Sequence, residues 1–152
     1  GESTTIYRSG TPTVALASSL ACALELAVNG LPQRAEKVRA LNAELRAALA
    51  RYPDVRINSP ETAIPHILNL SVRNVKGTVF QRELDAQGVC VSVKSACSSD
   101  GLPSRAVFAV SRDRRNALSS WRISLSHLTT EEELHGFLDA FDHCTQQLTA
   151  TH

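Results

Sequence analysis

One cysteine lies where a thiol could meet a ligand rather than pack in a core. Cys97 belongs to the stretch SACSSDG (95–101), directly downstream of the apolar run VCVSV (89–93). A packing cysteine would be expected inside the apolar run, whereas this one falls in a predicted mobile loop of small residues. A thiol has a pKa of about 8.5, so a fraction is nucleophilic thiolate at neutral pH. For a lone loop cysteine, an incidental exposed thiol is the first interpretation, and only neighbouring motifs would reverse that order.

Arg122 is the second residue placed for chemistry. In the run WRISL (121–125) it alternates with Trp121 and Ile123, so its side chain should leave the strand on the face opposite the core. A solvated strand arginine shows the same pattern. The position alone therefore assigns Arg122 no role.

The remaining cysteines and the histidines indicate no metal site. No CxxC or CxH pair occurs, and we expect Cys22, Cys90 and Cys144 to be small, reduced core residues. His135 and His143 lie eight positions apart on the last predicted helix, too far for two ligands one turn apart. No metal is predicted.

Composition limits the classes of partner. The 152 residues carry 16 basic and 15 acidic side chains, interspersed, which predicts neither nucleic-acid nor membrane binding. The start, GESTTIYRSG, lacks the pattern of a signal peptide, so we expect a cytoplasmic protein. Because methionine is absent, we also expect the chain to be part of a longer protein.

Two helices are predicted before the first strand. Thr11 and Pro12 form a helix start, since threonine caps free N–H groups and proline needs no partner for its nitrogen. This helix should end at Asn29-Gly30, where a left-handed residue is allowed. Leu31-Pro32 opens a second helix whose apolar face recurs every three or four residues, at Val38, Leu41, Leu45, Leu49 and Tyr52.

The period then changes to two, which predicts a small sheet. The candidate strands are DVRIN, HILNLSV, VCVSV and WRISL. Between them Thr78-x-x-Gln81 predicts a helix cap, Pro103 opens a helix with Val107, Phe108 and Val110, and Thr129 or Thr130 with Glu132 or Glu133 predicts a capping box. The fold class is α+β, a two-layer sandwich with a small, mostly antiparallel sheet covered by helices. We interpret 1–152 as one domain, with 1–52 as a helical lead-in to a small domain at 53–152.

Five stretches together resemble the cysteine desulfurases, which are pyridoxal-phosphate enzymes of the class V aminotransferase group. They occur in the family's order over nearly the whole chain: RSGT at 8–11, HILNLS at 66–71, LDAQGVCVSVKSACSS at 84–99, PSRAV at 103–107 and RISLSHLTTEEEL at 122–134. The resemblance implies the C-terminal part of a fold-type I transferase.

The resemblance also implies residue roles. Cys97 matches the thiolate that attacks the sulfur of L-cysteine, leaving L-alanine and an enzyme persulfide whose sulfur passes to an acceptor or an iron-sulfur scaffold protein. Arg122 matches the arginine that binds the substrate carboxylate. Thr11 matches a residue that contacts the cofactor phosphate of the neighbouring subunit, which implies a homodimer.

Two departures from the family pattern stand out. Lys94 replaces the glycine that usually precedes SAC, which affects the turn out of the strand, and no His-Lys pair supplies the lysine that holds the cofactor covalently. We therefore expect the chain alone to be inactive. The alternatives are a selenocysteine lyase or another class V aminotransferase, and a non-enzymatic α+β binding module.

Overall fold

The computed structural model of the chain describes residues 11–93 and 102–149. They belong to two compact units, and the boundary between the units along the chain lies between Arg34 and Ala35. The interpretation of one domain with a boundary after residue 52 stays a prediction. The elements are α1 (Val14–Asn29), α2 (Leu31–Leu49), β1 (Val55–Ile57), β2 (Ile67–Val72), α3 (Gly77–Ala86), α4 (Arg105–Ser111), α5 (Arg114–Ser119), β3 (Ser120–Ser124) and α6 (Glu131–Thr149).

The first unit contains α1 and the first residues of α2. The predicted cap at Thr11 is wrong: the N–H of Val14 donates to the carbonyl of Pro12 at 3.1 Å, and this turn makes Thr13 the N-cap residue. The predicted end at Asn29-Gly30 is confirmed, although the left-handed conformation allowed there is not used. Gly30 has φ −92° and ψ −2°, because α2 begins at the next residue and no chain reversal is needed.

The surface of α1 is apolar and uncovered. None of its residues is buried, and the exposed large side chains are Val14, Leu16, Leu20, Leu24, Leu26 and Val28. Within the described ranges no single helix could span a membrane by its own length and composition, and only α1 and α2 taken as a broken pair meet that test.

The second unit is built on a three-stranded antiparallel sheet in the order β1-β2-β3. Side chains alternate between its two faces, so Leu68, Leu70 and Val72 of β2 all reach the same side. Trp121 and Ile123 of β3 join them. This face is the core face, and the alternation predicted for β2 and β3 is confirmed.

Three helices cover the core face. The predicted stripe of α2 is confirmed, since Val38, Leu41, Leu45 and Leu49 are buried. Aromatic rings from α3, β3 and α6 fill the centre: Phe80 stacks on Trp121 with 5.2 Å between ring centroids, and Phe141 contacts both. Stacked and tilted rings bury large apolar areas in favourable geometries. The helices are thereby fixed against the sheet.

The two predicted helix caps have different outcomes. Thr130 and Glu133 form the reciprocal capping box at the start of α6, with bonds of 2.9 and 3.1 Å between each side chain and the other residue's N–H. The box at Thr78 is wrong, because α3 already begins at Gly77 and its N-cap residue, Lys76, makes no side-chain cap. Gln81 donates instead to the carbonyl of Val91 at 3.1 Å.

The run VCVSV does not form a regular strand among the described residues. Val89, Val91 and Val93 pack against the core as predicted, but only Ser92 pairs with β3, through an isolated bridge to Arg122. The assignment of Cys90 to the core is wrong, since this residue is exposed. Cys90 alternates with the valines and therefore points away from the core they contact.

The opposite face of the sheet is partly covered by α5, a helix that the sequence did not predict. Asp113 caps it by accepting from the N–H of Asn116 at 3.0 Å. Ser71 of β2 and Ser120 of β3 are buried on this side. The α+β architecture with a small antiparallel sheet is confirmed, and α4 and α5 form an additional partial layer on its polar face.

Candidate functional site

The polar face of the sheet carries Arg122. Its Cα is paired in register with that of Asn69 on β2, so both side chains leave the sheet on the same side, away from the core. The predicted direction of the Arg122 side chain is therefore confirmed. Arg56 lies on this face too, opposite Ser71 in the β1–β2 pairing.

A cavity of about 740 Å³ opens between this polar face and the segment that leads into α4. The sheet contributes Arg56, Asn69 and Arg122, while Pro103 and Arg105 belong to the opposite wall. Ser104 caps α4 by accepting from the N–H of Val107 at 3.4 Å, which fixes that wall. A volume of this size suits a small-molecule ligand.

The charged side chains in the described lining of the cavity are all positive. Three arginines line it, and none of its described lining residues is acidic. Arg56 has a loose ion pair with Asp113 at 3.7 Å, outside the lining. The Nε atom of Arg122 is buried and finds no hydrogen-bond partner among the described residues. A buried charged donor without a partner is costly, so the cavity is suited to an anionic group that would supply the missing acceptor.

The residues that flank the segment 94–101 lie at this cavity. Val93 and Leu102, the described residues on either side of it, line the wall. Ser92 exchanges two backbone hydrogen bonds with Arg122, at 2.7 and 3.1 Å, which fixes the entry to the segment beside the arginine. Cys97 and Lys94 lie outside the described residues, and so does the prediction of a mobile loop at 95–101.

Thr11 lies in the other unit. It is exposed, two residues before the N-cap residue of α1. Within α1 the first turn carries no acidic side chain, and Thr13 makes no side-chain cap. The amide groups at a helix N-terminus carry partial positive charge, so this end of α1 is compatible with a phosphate.

A network of amides supports the polar face, and the sequence analysis gave it no role. The Nδ2 of Asn58 donates to Asn69 Oδ1 at 2.9 Å and to Ser71 Oγ at 2.8 Å. Asn58 Oδ1 accepts from Asn116 Nδ2 at 2.9 Å, and Ser71 Oγ donates to the Asn116 carbonyl at 3.0 Å. The alternation in HILNLS places Asn69 and Ser71 on the polar face. Nothing local in the sequence indicates that Asn58 and Asn116, which are 58 positions apart, complete the network.

The other thiols and one tyrosine lie away from this site. Cys22, like Cys90, is exposed, so its assignment to the core is wrong. Cys144 is buried as predicted, and burial, together with the charge of Glu83, raises the pKa of its thiol. Burial also raises the pKa of Tyr52, with a smaller contribution from its hydrogen bond to Asp142. Among the described residues no three His, Cys, Asp or Glu side chains group as metal ligands.

Comparison with known proteins identifies the family. The model for "Aminotransferase class-V" matches residues 2–137. The chain belongs to the class V aminotransferase family. Its relatives include the cysteine desulfurase IscS of Clostridium botulinum, 31% identical over 145 residues, and an IscS-like cysteine desulfurase of Mycobacterium tuberculosis, 33% identical over 136 residues. These alignments cover 92% and 87% of this chain but only 36% and 35% of the relatives.

Solved structures agree on the fold. A NifS-like protein from Rickettsia africae superposes with a TM-score of 0.74 at 27% identity, over 91% of this chain and 36% of that one. A second NifS-like protein gives 0.73 at 30% identity, over 94% and 36% of the two chains. The fold class is thereby confirmed as that of the NifS-like, pyridoxal-phosphate-dependent fold-type I proteins. This class V chain spans about a third of the length of the relatives it matches. Its family implies pyridoxal phosphate as the general cofactor.

Proposed function

We propose that this chain is the C-terminal portion of a cytoplasmic, pyridoxal-phosphate-dependent cysteine desulfurase that works as a homodimer. The observation that carries the proposal is the cavity in which the buried Nε of Arg122 has no hydrogen-bond partner among the described residues. Val93 and Leu102, the described residues that flank the segment containing SACSS, line the same cavity. A substrate carboxylate would supply the acceptor that Arg122 lacks. Cys97 would then lie on the segment whose flanking residues, Val93 and Leu102, line the substrate cavity.

Arg122 binds and orients the substrate in this proposal. A guanidinium donates two parallel hydrogen bonds to a carboxylate, which fixes both the position and the rotation of an amino acid. The strand restricts Arg122 further, because its backbone N–H and carbonyl are both bonded to Ser92. L-Cysteine would thus be presented with its thiol free to meet Cys97.

Cys97 is the proposed sulfur acceptor. Its thiolate attacks the sulfur of L-cysteine, forming an S–S bond while the substrate Cβ–S bond breaks and its electron pair stays on Cβ. That carbon takes a proton and the product is L-alanine, so the sum is L-cysteine plus enzyme thiol giving L-alanine plus enzyme persulfide. Pyridoxal phosphate, when bound, withdraws electrons from the substrate and makes this cleavage possible. The persulfide sulfur then passes to an acceptor or an iron-sulfur scaffold protein.

Thr11 and the N-terminus of α1 would hold the cofactor phosphate of the neighbouring subunit. The uncharged first turn of α1 supports this role, because a helix N-terminus without nearby carboxylates attracts a phosphate. The uncovered apolar surface of α1 supports a larger assembly, since contiguous exposed apolar patches mark surfaces that other protein covers. The lysine that holds the cofactor would lie in the remaining part of the protein.

The experiment is persulfide mapping on the full-length protein that contains this chain. After incubation with L-cysteine, mass spectrometry should find one extra sulfur on the peptide with Cys97, together with L-alanine in solution. Cys97→Ser should bind L-cysteine but form no persulfide, because a hydroxyl is a poor nucleophile toward sulfur at neutral pH.

The matched control is Cys90→Ser, which removes an exposed thiol seven positions earlier and should leave turnover unchanged. Persulfide on another cysteine, with Cys97→Ser still active, would overturn the role of Cys97. The chain on its own, mixed with pyridoxal phosphate and L-cysteine, should yield no alanine above a cofactor-only control. Reproducible turnover by the chain alone would contradict the proposed place of the cofactor lysine.

A further inference from the structure

The amide network beneath the cavity fixes the orientation of Asn69. A hydroxyl has a single proton, and Ser71 donates it to the backbone carbonyl of Asn116 at 3.0 Å. Ser71 Oγ must therefore accept from Asn58, at 2.8 Å, which requires that Asn58 present its nitrogen to this side. The second proton of the same nitrogen reaches Asn69 at 2.9 Å, so the atom of Asn69 that meets it must be the carbonyl oxygen.

The opposite orientation of the Asn69 carboxamide is disfavoured, because it would leave hydrogen-bond donors and acceptors of the network unmatched. If Asn69 turned its Nδ2 toward Asn58, two NH₂ groups would face each other. If Asn58 turned as well, its Nδ2 would face Asn116 Nδ2. Its Oδ1 would also need the Ser71 proton, which would leave the buried carbonyl of Asn116 without that proton. An unsatisfied buried polar group is costly, so the whole network keeps one direction.

This direction leaves the Nδ2 of Asn69 on the side away from Asn58. Asn58 follows β1, while Arg122 lies on β3, across β2 from it. Because the carboxamide is planar, an oxygen directed toward β1 places the nitrogen on the β3 side. Asn69 lines the cavity, and its Nδ2 has no hydrogen-bond partner among the described residues.

Arg122 is the direct neighbour of Asn69 across the two strands. In-register side chains on one face of an antiparallel pair lie about 5 Å apart at Cβ. The two residues are paired in register, and both line the cavity. Two donors, one charged and one neutral, thus reach the same wall from neighbouring strands, while no acidic residue is among the described lining.

We propose that Asn69 is a second donor to the carboxylate of the amino-acid substrate, beside Arg122. The inference rests on the proposed function for the identity of the substrate. Arg122 supplies the charge, and Asn69 supplies a neutral donor whose direction is fixed before the ligand arrives. Asn58 acts through Asn69 and is a positioning residue. A pair of donors on two strands selects substrates with a carboxylate and fixes its plane.

The experiment compares variants of Asn69 in the full-length protein by titration calorimetry with L-alanine and by steady-state turnover of L-cysteine. Asn69→Ala should weaken L-alanine binding and raise KM by roughly tenfold to hundredfold, the range for losing a hydrogen bond to a charged group, with kcat within about twofold. Asn69→Asp should lose more, because it keeps the oxygen that faces Asn58 and places a second carboxylate oxygen toward the ligand. It also keeps the network contact, so it decides the question if Asn69→Ala does not fold.

Ser124→Ala is the matched control, since Ser124 lies on the same face of β3, two residues beyond Arg122, and outside the cavity lining. It should leave L-alanine binding unchanged. Inhibition by ethylamine, which has no carboxylate, should be the same in wild type and in Asn69→Ala, whereas a merely structural role would weaken both ligands together. L-Alanine affinity within twofold of wild type in a folded Asn69 variant would overturn the inference. If wild type forms no alanine from L-cysteine, the proposed function fails, but calorimetry still decides the role of Asn69 with amino-acid carboxylates.

Discussion

Ser92 and Arg122 form a two-bond backbone bridge, with the N–H of Ser92 donating to the Arg122 carbonyl at 3.1 Å and the reverse bond at 2.7 Å. The bridge joins the residue proposed to bind the substrate to the entry of the segment that contains Cys97. Val93, next in the chain, already lines the cavity. The local pairing of two short segments thus determines where the proposed nucleophile segment begins.

Replacing Ser92 by proline tests this bridge. Proline has no N–H, so Ser92→Pro should remove one bond and leave the Arg122 carbonyl without its partner, at a cost of about 1–3 kcal/mol in the free energy of unfolding. Turnover of L-cysteine by the full-length protein should fall with it. Ser92→Ala keeps the backbone bonds and serves as the control, with stability within about 0.5 kcal/mol of wild type. Equal denaturation midpoints for Ser92→Pro and Ser92→Ala would contradict a structural role for the bridge.

The sequence predicted the elements whose signals are local. Alternation in HILNLSV and WRISL gave β2, β3 and the side to which Arg122 points, because period two maps directly onto the faces of a strand. The capping box of α6 was recognisable because both partners lie within one turn. Thr130 and Glu133 need no tertiary contact to find each other.

Other features depend on contacts that no local pattern records. The amide network joins Asn58 to Asn116 across 58 positions, and only the folded sheet brings them together. The short helix α5 has no apolar period and follows from the cap at Asp113. The alternation in VCVSV predicts a strand. Among the described residues of this run, only Ser92 pairs with β3, through a single bridge to Arg122.

Gly77 marks a close approach between α3 and β3. A Cβ on this residue would lie 2.5 Å from the carbonyl oxygen of Ser120 and 3.4 Å from Val93 Cγ1. Because the nearer atom is backbone, Gly77→Ala should shift α3 or β3 and destabilise the protein by about 1–3 kcal/mol. Gly136→Ala is the matched control: a Cβ there meets nothing within 4 Å and lies inside α6, so alanine should stabilise by about 0.5–1 kcal/mol. Chemical denaturation of both variants measures the contrast, and equal shifts would argue against the close approach.

The two threonines that the sequence marked as caps should respond differently to truncation. Thr130→Ala removes the acceptor for the N–H of Glu133 and should cost about 1 kcal/mol of stability. Thr78→Ala should be neutral or slightly stabilising, because Thr78 is exposed inside α3 and alanine has the higher helix propensity. Urea denaturation gives both values. A larger loss at Thr78 than at Thr130 would show that the helix starts are misassigned.

The cysteines should separate by their rates of alkylation. Burial raises the pKa of the Cys144 thiol and blocks access to it, so iodoacetamide should leave Cys144 unmodified in the native protein for as long as the core stays closed. Cys22 and Cys90 are exposed and should react well before it. We predict that Cys97 reacts fastest of the four. Peptide mapping by mass spectrometry measures the order of reaction. Unfolding in denaturant is the control, since it should make all four cysteines react. Modification of Cys144 before Cys90 would contradict the burial of Cys144.

Arg122 should contribute to binding without contributing to stability. Its buried Nε has no hydrogen-bond partner among the described residues, and a donor removed from water without a bond costs about 1–3 kcal/mol. Arg122→Ala should therefore leave the free energy of unfolding unchanged or raise it.

In the full-length enzyme the same change should raise the KM for L-cysteine by at least about tenfold, since a charge-assisted hydrogen bond is lost. Arg122→Lys should recover little, because a point charge cannot reproduce the planar fork. Arg73→Ala, which removes an exposed arginine paired with Asp54 just after β2, is the control and should leave KM unchanged. Thermal unfolding and steady-state kinetics on the same preparations measure the two effects, and a loss of stability in Arg122→Ala with an unchanged KM would assign Arg122 to the fold instead of the substrate.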